Sequence, residues 1–446
     1  MTQHGSPALT ASGRAHKIAT MSSSRPTGTP RAALVAAVLL GLALAAVIVV
    51  RTPWTVLPVP PGGHAPLDPT AGLSAAQLHR AEAFAALVRP ASLVSLALGL
   101  VIAGIFALTS LGGRLVRAVA RPLGGGWAWQ VLLGVVALMV IGQLVTLPLS
   151  AYGEMVRHRY GLSTRGWWLW LRDVAVGTGI NAALTAVGLL ALVWLARRAP
   201  RTWWAWAALG AAALVVVGSF LWPLLIEPAF NRFQPMAAGP LRSDLLALAE
   251  KSGTPVQDVL VSDASRRTTA LNAYVSGFGS TRRIVVYDTV LERLPDAEIE
   301  SIVAHELGHV ANDDVLTGTL TGALGAAAGV AALGWLVSVG PLRRRSGDGP
   351  GDPRVVPVVL FLMAVGTLVS TPVQNLVSRH IEARADIHAL DLTRDPTTFI
   401  AMQRELAVTN LSEPDPPAAL QWFFGSHPTT AQRVGLARDW ERLQRR

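Results

Sequence analysis

Ile302-Val303-Ala304-His305-Glu306-Leu307-Gly308-His309-Val310 is the stretch on which the reading of this chain turns. It has no proline, and apolar residues recur at Ile299, Ile302, Val303, Leu307 and Val310, the period of an amphipathic helix. Positions i and i+4 share a helical face, so His305 and His309 point the same way and both imidazoles can hold one cation. Glu306 lies beside them, within reach of a water on that cation. This is the H-E-x-x-H arrangement of zinc hydrolases. A chance match is a poor alternative in a chain with only ten histidines. The pattern still requires a third ligand and a place to work.

Composition supplies the setting. Of 446 residues, 51% are hydrophobic and 15% charged, and the mean hydropathy is +0.42. Such a chain is mostly embedded in a membrane. The net charge of +10 is almost all arginine, since lysine occurs only at Lys17 and Lys251. The arginines cluster at the ends of apolar runs, where they anchor helices to lipid headgroups, and this reading is preferred over nucleic-acid binding. There is no cysteine, so there is no disulfide framework, and a metal must be held by histidine and carboxylate.

Outward from the motif, the chain alternates apolar runs with polar segments. Residues 1–30 read as a disordered basic tail. Residues 32–50, apolar throughout between Arg31 and Arg51, exceed a signal-peptide core and suit a membrane span. Residues 52–69 form a Pro-rich loop, and residues 74–89 carry a helical pattern, N-capped by Ser74, that is expected at the membrane interface. Spans follow at 90–111, 127–149, 174–196 and 203–226, with Trp127, Trp129, Trp167, Trp168, Trp203 and Trp204 among the tryptophans at their edges.

Residues 227–314 are polar and mixed. They predict a helix over 241–251 and strands at 258–262, 270–275 and 283–287, the last two joined through Gly277 and Gly279 as a hairpin. Two further spans, 315–338 and 355–377, flank a flexible loop at 341–354. Pro372 is expected to kink the last span. Helices are predicted over 375–392 and 430–445. The fold class is a mainly α membrane protein, with about seven transmembrane helices and an α+β zincin-like catalytic insert between the fifth and sixth. The domains are the tail at 1–30, a five-span membrane domain at 31–226 and a zinc metallopeptidase domain at 227–446.

A zinc hydrolase needs three protein ligands and an open position for water. Asn312 and Val315 stand where metzincins carry Gly and His, which excludes that class. Asp313 and Asp314 read as a helix break before the next span. Glu382 and Asp386, four residues apart on one helical face, make a better pair. Glu382 would bind the metal, while Asp386 accepts a hydrogen bond from a ligand imidazole, fixing its tautomer and raising its basicity. The competing reading pairs Glu382 with Arg379 on a surface helix. His380 and His388 fall off that face and read as bystanders. Ser426-His427-Pro428 reads equally as a helix start or as placing His427 to donate to a developing oxyanion.

With these residues assembled, the chain resembles the type I CaaX prenyl proteases, integral-membrane zinc endopeptidases of the gluzincin class. The likeness rests on Glu298-Ile299-Glu300 leading into the His305 motif, on Glu382 and Asp386 as E-x-x-x-D, and on His427-Pro428 followed by Arg433. It also rests on Asn272-Ala273-Tyr274-Val275-Ser276-Gly277 with Arg283 to Thr289, and on Tyr160-Gly161-Leu162-Ser163. The resemblance implies spans surrounding a water-filled chamber, with one zinc ion held by His305, His309 and Glu382. It implies Glu306 and His427 as catalytic groups and Asp386 and Arg433 behind the ligands, with Arg433 either bracing the site or binding a carboxylate. An extended, membrane-associated peptide or protein substrate would lie along Asn272, Ala273 and Tyr274. The tail and the Pro-rich first loop have no counterpart.

A membrane quality-control metalloprotease of the heat-shock type is the alternative enzyme, but it has fewer spans before the insert. A transporter is disfavoured because the spans are nearly free of charge, with Gln143 and Asn181 among the few polar residues at depth. An inactive peptide-binding scaffold is disfavoured by the intact Glu306. With the N-terminus inside, the short inside segments hold fourteen basic residues and the short outside loops seven. The positive-inside tendency then favours the insert outside the cytoplasm, whereas the resemblance implies the cytoplasmic side, where eukaryotic members of that family carry it; the two readings stay open. The expected location is the plasma membrane of a bacterium.

Overall fold

Long apolar runs in hydrocarbon can satisfy their backbone only as helices. The computed structural model describes residues 29–225 and 230–445, so most of the expected tail lies outside the described residues. Among them, seven helices are long and apolar enough to cross a membrane. Five come first: α1 (Thr29–Arg51), α2 (Ala75–Leu108), then, after the short α3 (Ser110–Ala120), α4 (Trp127–Arg159), α5 (Trp167–Arg198) and α6 (Trp203–Leu225). The interfacial helix expected at 74–89 and the span at 90–111 are one 34-residue helix, α2, which contains Pro90. Ser74 does cap it, with Gln77 completing a capping box.

The insert begins with β1 (Phe233–Pro235), α7 (Pro240–Lys251), β2 (Asp258–Ser262), β3 (Ala273–Ser276) and β4 (Arg283–Tyr287). The sheet order is β1-β2-β4-β3, with β2 and β4 parallel and the other pairs antiparallel. The β3–β4 hairpin is as predicted. Gly277 turns it at φ +88, where a Cβ would lie 2.3 Å from the Thr281 carbonyl oxygen. Strand β3 starts later than residue 270 because the preceding backbone has other partners. Thr268 bridges to Ser163, and the Leu271 amide donates to Asn410 Oδ1 at 2.9 Å.

After α8 (Asp288–Arg293) comes α9 (Asp296–Ala311), which carries the His305 motif. Its apolar face packs Ile299, Ile302, Val303 and Leu307 between the sheet residues Val259, Ile284 and Val286 and the later residues Leu390, Phe399 and Met402. The sixth and seventh long apolar helices are α10 (Asp314–Leu336) and α12 (Val356–Thr393). Pro372 lies inside α12, whose 38 residues join the predicted span and the predicted 375–392 helix into one element. The segment read as a flexible loop is structured: it holds α11 (Gly340–Arg345) and a 3-10 turn at Pro353–Val355, capped by Asp352. The chain ends with α13 (Pro396–Thr409), α14 (Ala418–Phe424) and α15 (Thr430–Gln444).

Among the contacts that fasten the catalytic half to the membrane half, two sets lie close to the site. Residues 162–164 pair with 267–269: the Thr164 amide donates to Arg267 O and the Thr269 amide to Leu162 O, each at 3.2 Å. Beneath them Glu154, fully buried, accepts two bonds from Arg165 (2.8 Å each), and Arg267 reaches Asp173 at 3.0 Å. The Pro-rich first loop crosses α15, where Asp439 accepts from the Ala65 amide (2.7 Å) and Arg442 donates to the carbonyls of Pro61 and Gly63.

Candidate active site

Helix α9 presents His305 and His309 one turn apart, with their rings nearly perpendicular at 88° and centroids 4.9 Å apart. Their Nε2 atoms face each other at 3.2 Å. Glu382, on α12, completes the triangle: its Oε2 lies 3.3 Å from His305 Nε2 and its Oε1 3.4 Å from His309 Nε2. An ion with four tetrahedral bonds of about 2.0–2.1 Å has ligand–ligand edges of about 3.3 Å; the two imidazole nitrogens have that spacing, and one carboxylate oxygen lies at a similar distance from each, so the three side chains converge closely enough to share one ion. The close approach of α9 to α12 depends on Gly308, where a Cβ would lie 3.0 Å from His388 Cβ and 3.1 Å from Ala385 Cα.

The groups behind the ligands are themselves held. Asp386 Oδ1 lies 2.9 Å from His305 Nδ1. Arg433, on α15, donates to Glu382 Oε2 at 2.8 Å and to Asp386 Oδ1 at 2.9 Å. Of the two readings of Arg433, this geometry is bracing. Arg379 does not pair with Glu382. It donates instead to the carbonyls of Gln421 and Gly425.

Sequence reasoning missed Asp314. Its Oδ2 lies 3.0 Å from His309 Nδ1, and its other oxygen pairs with Arg384. Asp313, at φ +54, breaks the helix in the left-handed region and folds Asp314 back toward the motif. No helical period brings residues five apart together, so nothing in the local pattern signals this contact.

The electrostatics favour a bound cation. Burial disfavours charge on His305, but the Asp386 and Glu382 carboxylates outweigh it and its pKa is pushed up to about 10. Burial raises the pKa of Glu306, and the two imidazoles oppose that rise only in part.

His305, Glu306 and Glu382 open onto a cavity of about 490 Å³ that Asn272, Ala273 and His427 also line. His427 is 61% exposed, with Nε2 3.4 Å from Glu382 Oε2 and Nδ1 2.8 Å from Ser426 Oγ. Tyr274 is not among the residues that line this cavity, and its ring meets Tyr287 edge-on at 6.5 Å. The remaining histidines of this region are engaged elsewhere, His380 with Leu376 O and His388 with Ser252.

Residues 235–441 match peptidase family M48, and residues 70–232 match the CAAX prenyl protease N-terminal region of five membrane helices. The chain is 34% identical over 310 residues to the uncharacterized metalloprotease YhfN of Bacillus subtilis, covering 69% of this chain and 73% of that one. It is 29% identical to a CAAX prenyl protease 1 homolog of Oryza sativa, covering 68% and 72%. The crystal structure of S. mikatae Ste24p shares the fold, with a TM-score of 0.67 at 19% identity over 91% of this chain and 98% of that one. The chain is a multi-pass membrane metalloendopeptidase that belongs to the type I CaaX prenyl protease family, within peptidase family M48.

Proposed function

We propose that this endopeptidase works with one zinc ion held by His305, His309 and Glu382, and cuts an extended peptide laid along the edge of β3. The observation that carries the reading is the convergence of His305, His309 and Glu382, with the two Nε2 atoms 3.2 Å apart and a Glu382 oxygen within 3.4 Å of each, beside Glu306 in a cavity that Asn272 and Ala273 help to line. Histidine and carboxylate donors at tetrahedral spacing suit zinc in a hydrolytic site.

Zinc bound there would supply Lewis acidity, polarising the peptide carbonyl and making a water acidic enough to ionise near neutral pH. Glu306 takes the proton from that water and returns it to the leaving amine. His427 donates a hydrogen bond to the carbonyl oxygen as it gains charge. Asp386 and Asp314 hold the two imidazoles in one tautomer, and Arg433 holds both Glu382 and Asp386.

The substrate binds by strand addition. The Tyr287 amide donates to Asn272 O at 3.1 Å, so the backbone groups of Asn272 and Tyr274 face β4 while those of Ala273 and Val275 face outward. An extended peptide pairs with that outer edge. Asn272 orients it.

The proposed setting is a bacterial plasma membrane with the insert outside the cytoplasm. Basic segments meet at the end of the bundle away from the insert: Arg197 donates to Gly351 O at 3.1 Å, and Arg354 packs on Gly113 of α3. Reporter fusions after residues 200 and 260 should read as inside and outside respectively.

The central experiment is elemental analysis with peptidase assays on the wild type, Glu306→Gln and Glu382→Ala. The wild type should carry one zinc per chain and lose activity to a chelator. Full zinc content in Glu382→Ala would remove it as a ligand. A trapped substrate, recovered with Glu306→Gln and read by mass spectrometry, identifies what is cut.

A further inference from the structure

The outward edge of β3 ends abruptly, and a side chain ends it. Asn410, the C-cap residue of α13, meets both edge-facing groups of Leu271. Its Oδ1 accepts from the Leu271 amide at 2.9 Å, and its Nδ2 donates to the Leu271 carbonyl at 3.3 Å. A carboxamide bonded in this way imitates one residue of an added strand. Two residues further back, the Thr269 amide is already held by Leu162 O at 3.2 Å. Ala273 and Val275 are thus offered to a partner strand, whereas Leu271 and Thr269 are occupied.

The placement of Asn410 is built in at a cost. Leu411 follows it at φ +53 and is only 6% exposed. A bulky residue in the left-handed region is strained, and glycine usually holds this position after a helix. The turn lets the Ser412 amide return to Ala407 O at 2.9 Å. Asn410, Ser412 and Glu413 line the same cavity as Glu306 and His427. Glu413 is in turn tied to Arg89 of α2.

We propose that Asn410 is a specificity-determining residue that ends the substrate-binding edge at Leu271. It thereby limits how many substrate residues extend past that end of β3. The inference rests on the reading that peptide binds along this edge. It makes the enzyme selective for bonds with a short stretch of chain on one side. Removing Asn410 frees one more edge residue, Leu271. Because strand residues alternate in direction, that lengthens the tolerated stretch by two residues, and Leu162 on Thr269 stops it there.

The test uses zinc-loaded, full-length protein in detergent. Quenched fluorescent peptides share one scissile bond and grow by one residue at a time on either end. In the wild type, cleavage should fall by roughly tenfold or more at a definite length on one end only, as a paired residue is lost and the chain meets Asn410. In Asn410→Ala the fall should move two residues outward on that end and leave the other end unchanged. The ratio of long-peptide to short-peptide rates is read, so it does not depend on the fraction of folded enzyme. An unmoved cut-off in Asn410→Ala overturns the proposal, and so does loss of cleavage at every length, which would make Asn410 structural. N-methylation of successive substrate amides separates the two readings. If KM rises at alternate positions while the cut-off stays unmoved, only the role of Asn410 fails. If KM does not alternate, edge binding itself fails.

Discussion

Asp314, the first residue of a helix long and apolar enough to span a membrane, sets its carboxylate 3.0 Å from Nδ1 of His309, near the end of the preceding helix. The start of a span therefore holds the His309 imidazole. The other, His305, has Asp386, from the far end of α12, 2.9 Å from its Nδ1. The two imidazoles share a helix, but these carboxylates come from two different apolar helices, so the centre is complete only when both pack against α9.

Asp314→Ala should weaken metal affinity by about 10–100-fold, the usual cost of losing a carboxylate behind a ligand histidine. Competition titration against a chromophoric chelator measures it. Affinity equal to that of the wild type would reduce Asp314 to a helix start.

Glu306→Gln should keep its metal while turnover falls by about 10²–10⁴, the range for a lost general acid–base. The pH profile follows from burial. Glu306 acts as base only when ionised, and burial raises its pKa. Activity should therefore fall with decreasing pH through a value above the ordinary glutamate range. An acid limb in kcat/KM at or below that range would separate Glu306 from the proton transfer.

Arg433→Ala leaves Glu382 and Asp386 buried beside each other without their shared cation. Breaking such a buried pair costs about 3–5 kcal/mol. The loss should be largest in the metal-free protein, because a bound ion returns positive charge to Glu382. Thermal unfolding with and without chelator tests this, and an equal drop in both states would show that Arg433 serves packing alone.

Glu154→Gln removes the charge that receives Arg165 in a buried pocket also reached by Ser163. It should destabilise the detergent-solubilised protein by about 3–5 kcal/mol. It should also loosen residues 267–269, which lead into β3. Hydrogen exchange at those residues is the direct measurement, and unchanged protection there would uncouple the Glu154 pocket from the substrate strand.

Some of this was determined by sequence alone, because it depends on local spacing. His305, Glu306 and His309 lie within one helical turn, and Glu382 and Asp386 repeat the same i,i+4 spacing. Apolar length alone marked seven spans, since a continuous apolar segment in hydrocarbon satisfies its backbone within itself only as a helix. Alternation and paired glycines marked the β3–β4 hairpin. Tertiary structure decided the rest. Asp314 reaches His309 only through the left-handed turn at Asp313. Arg433 meets Glu382 across 51 residues, Asn410 meets Leu271 across 139, and Arg267 meets Asp173 across 94. Helical and strand periods are properties of consecutive residues and can be read along the chain. Which elements touch depends on how helices cross and loops close, and the same local pattern is compatible with many such packings.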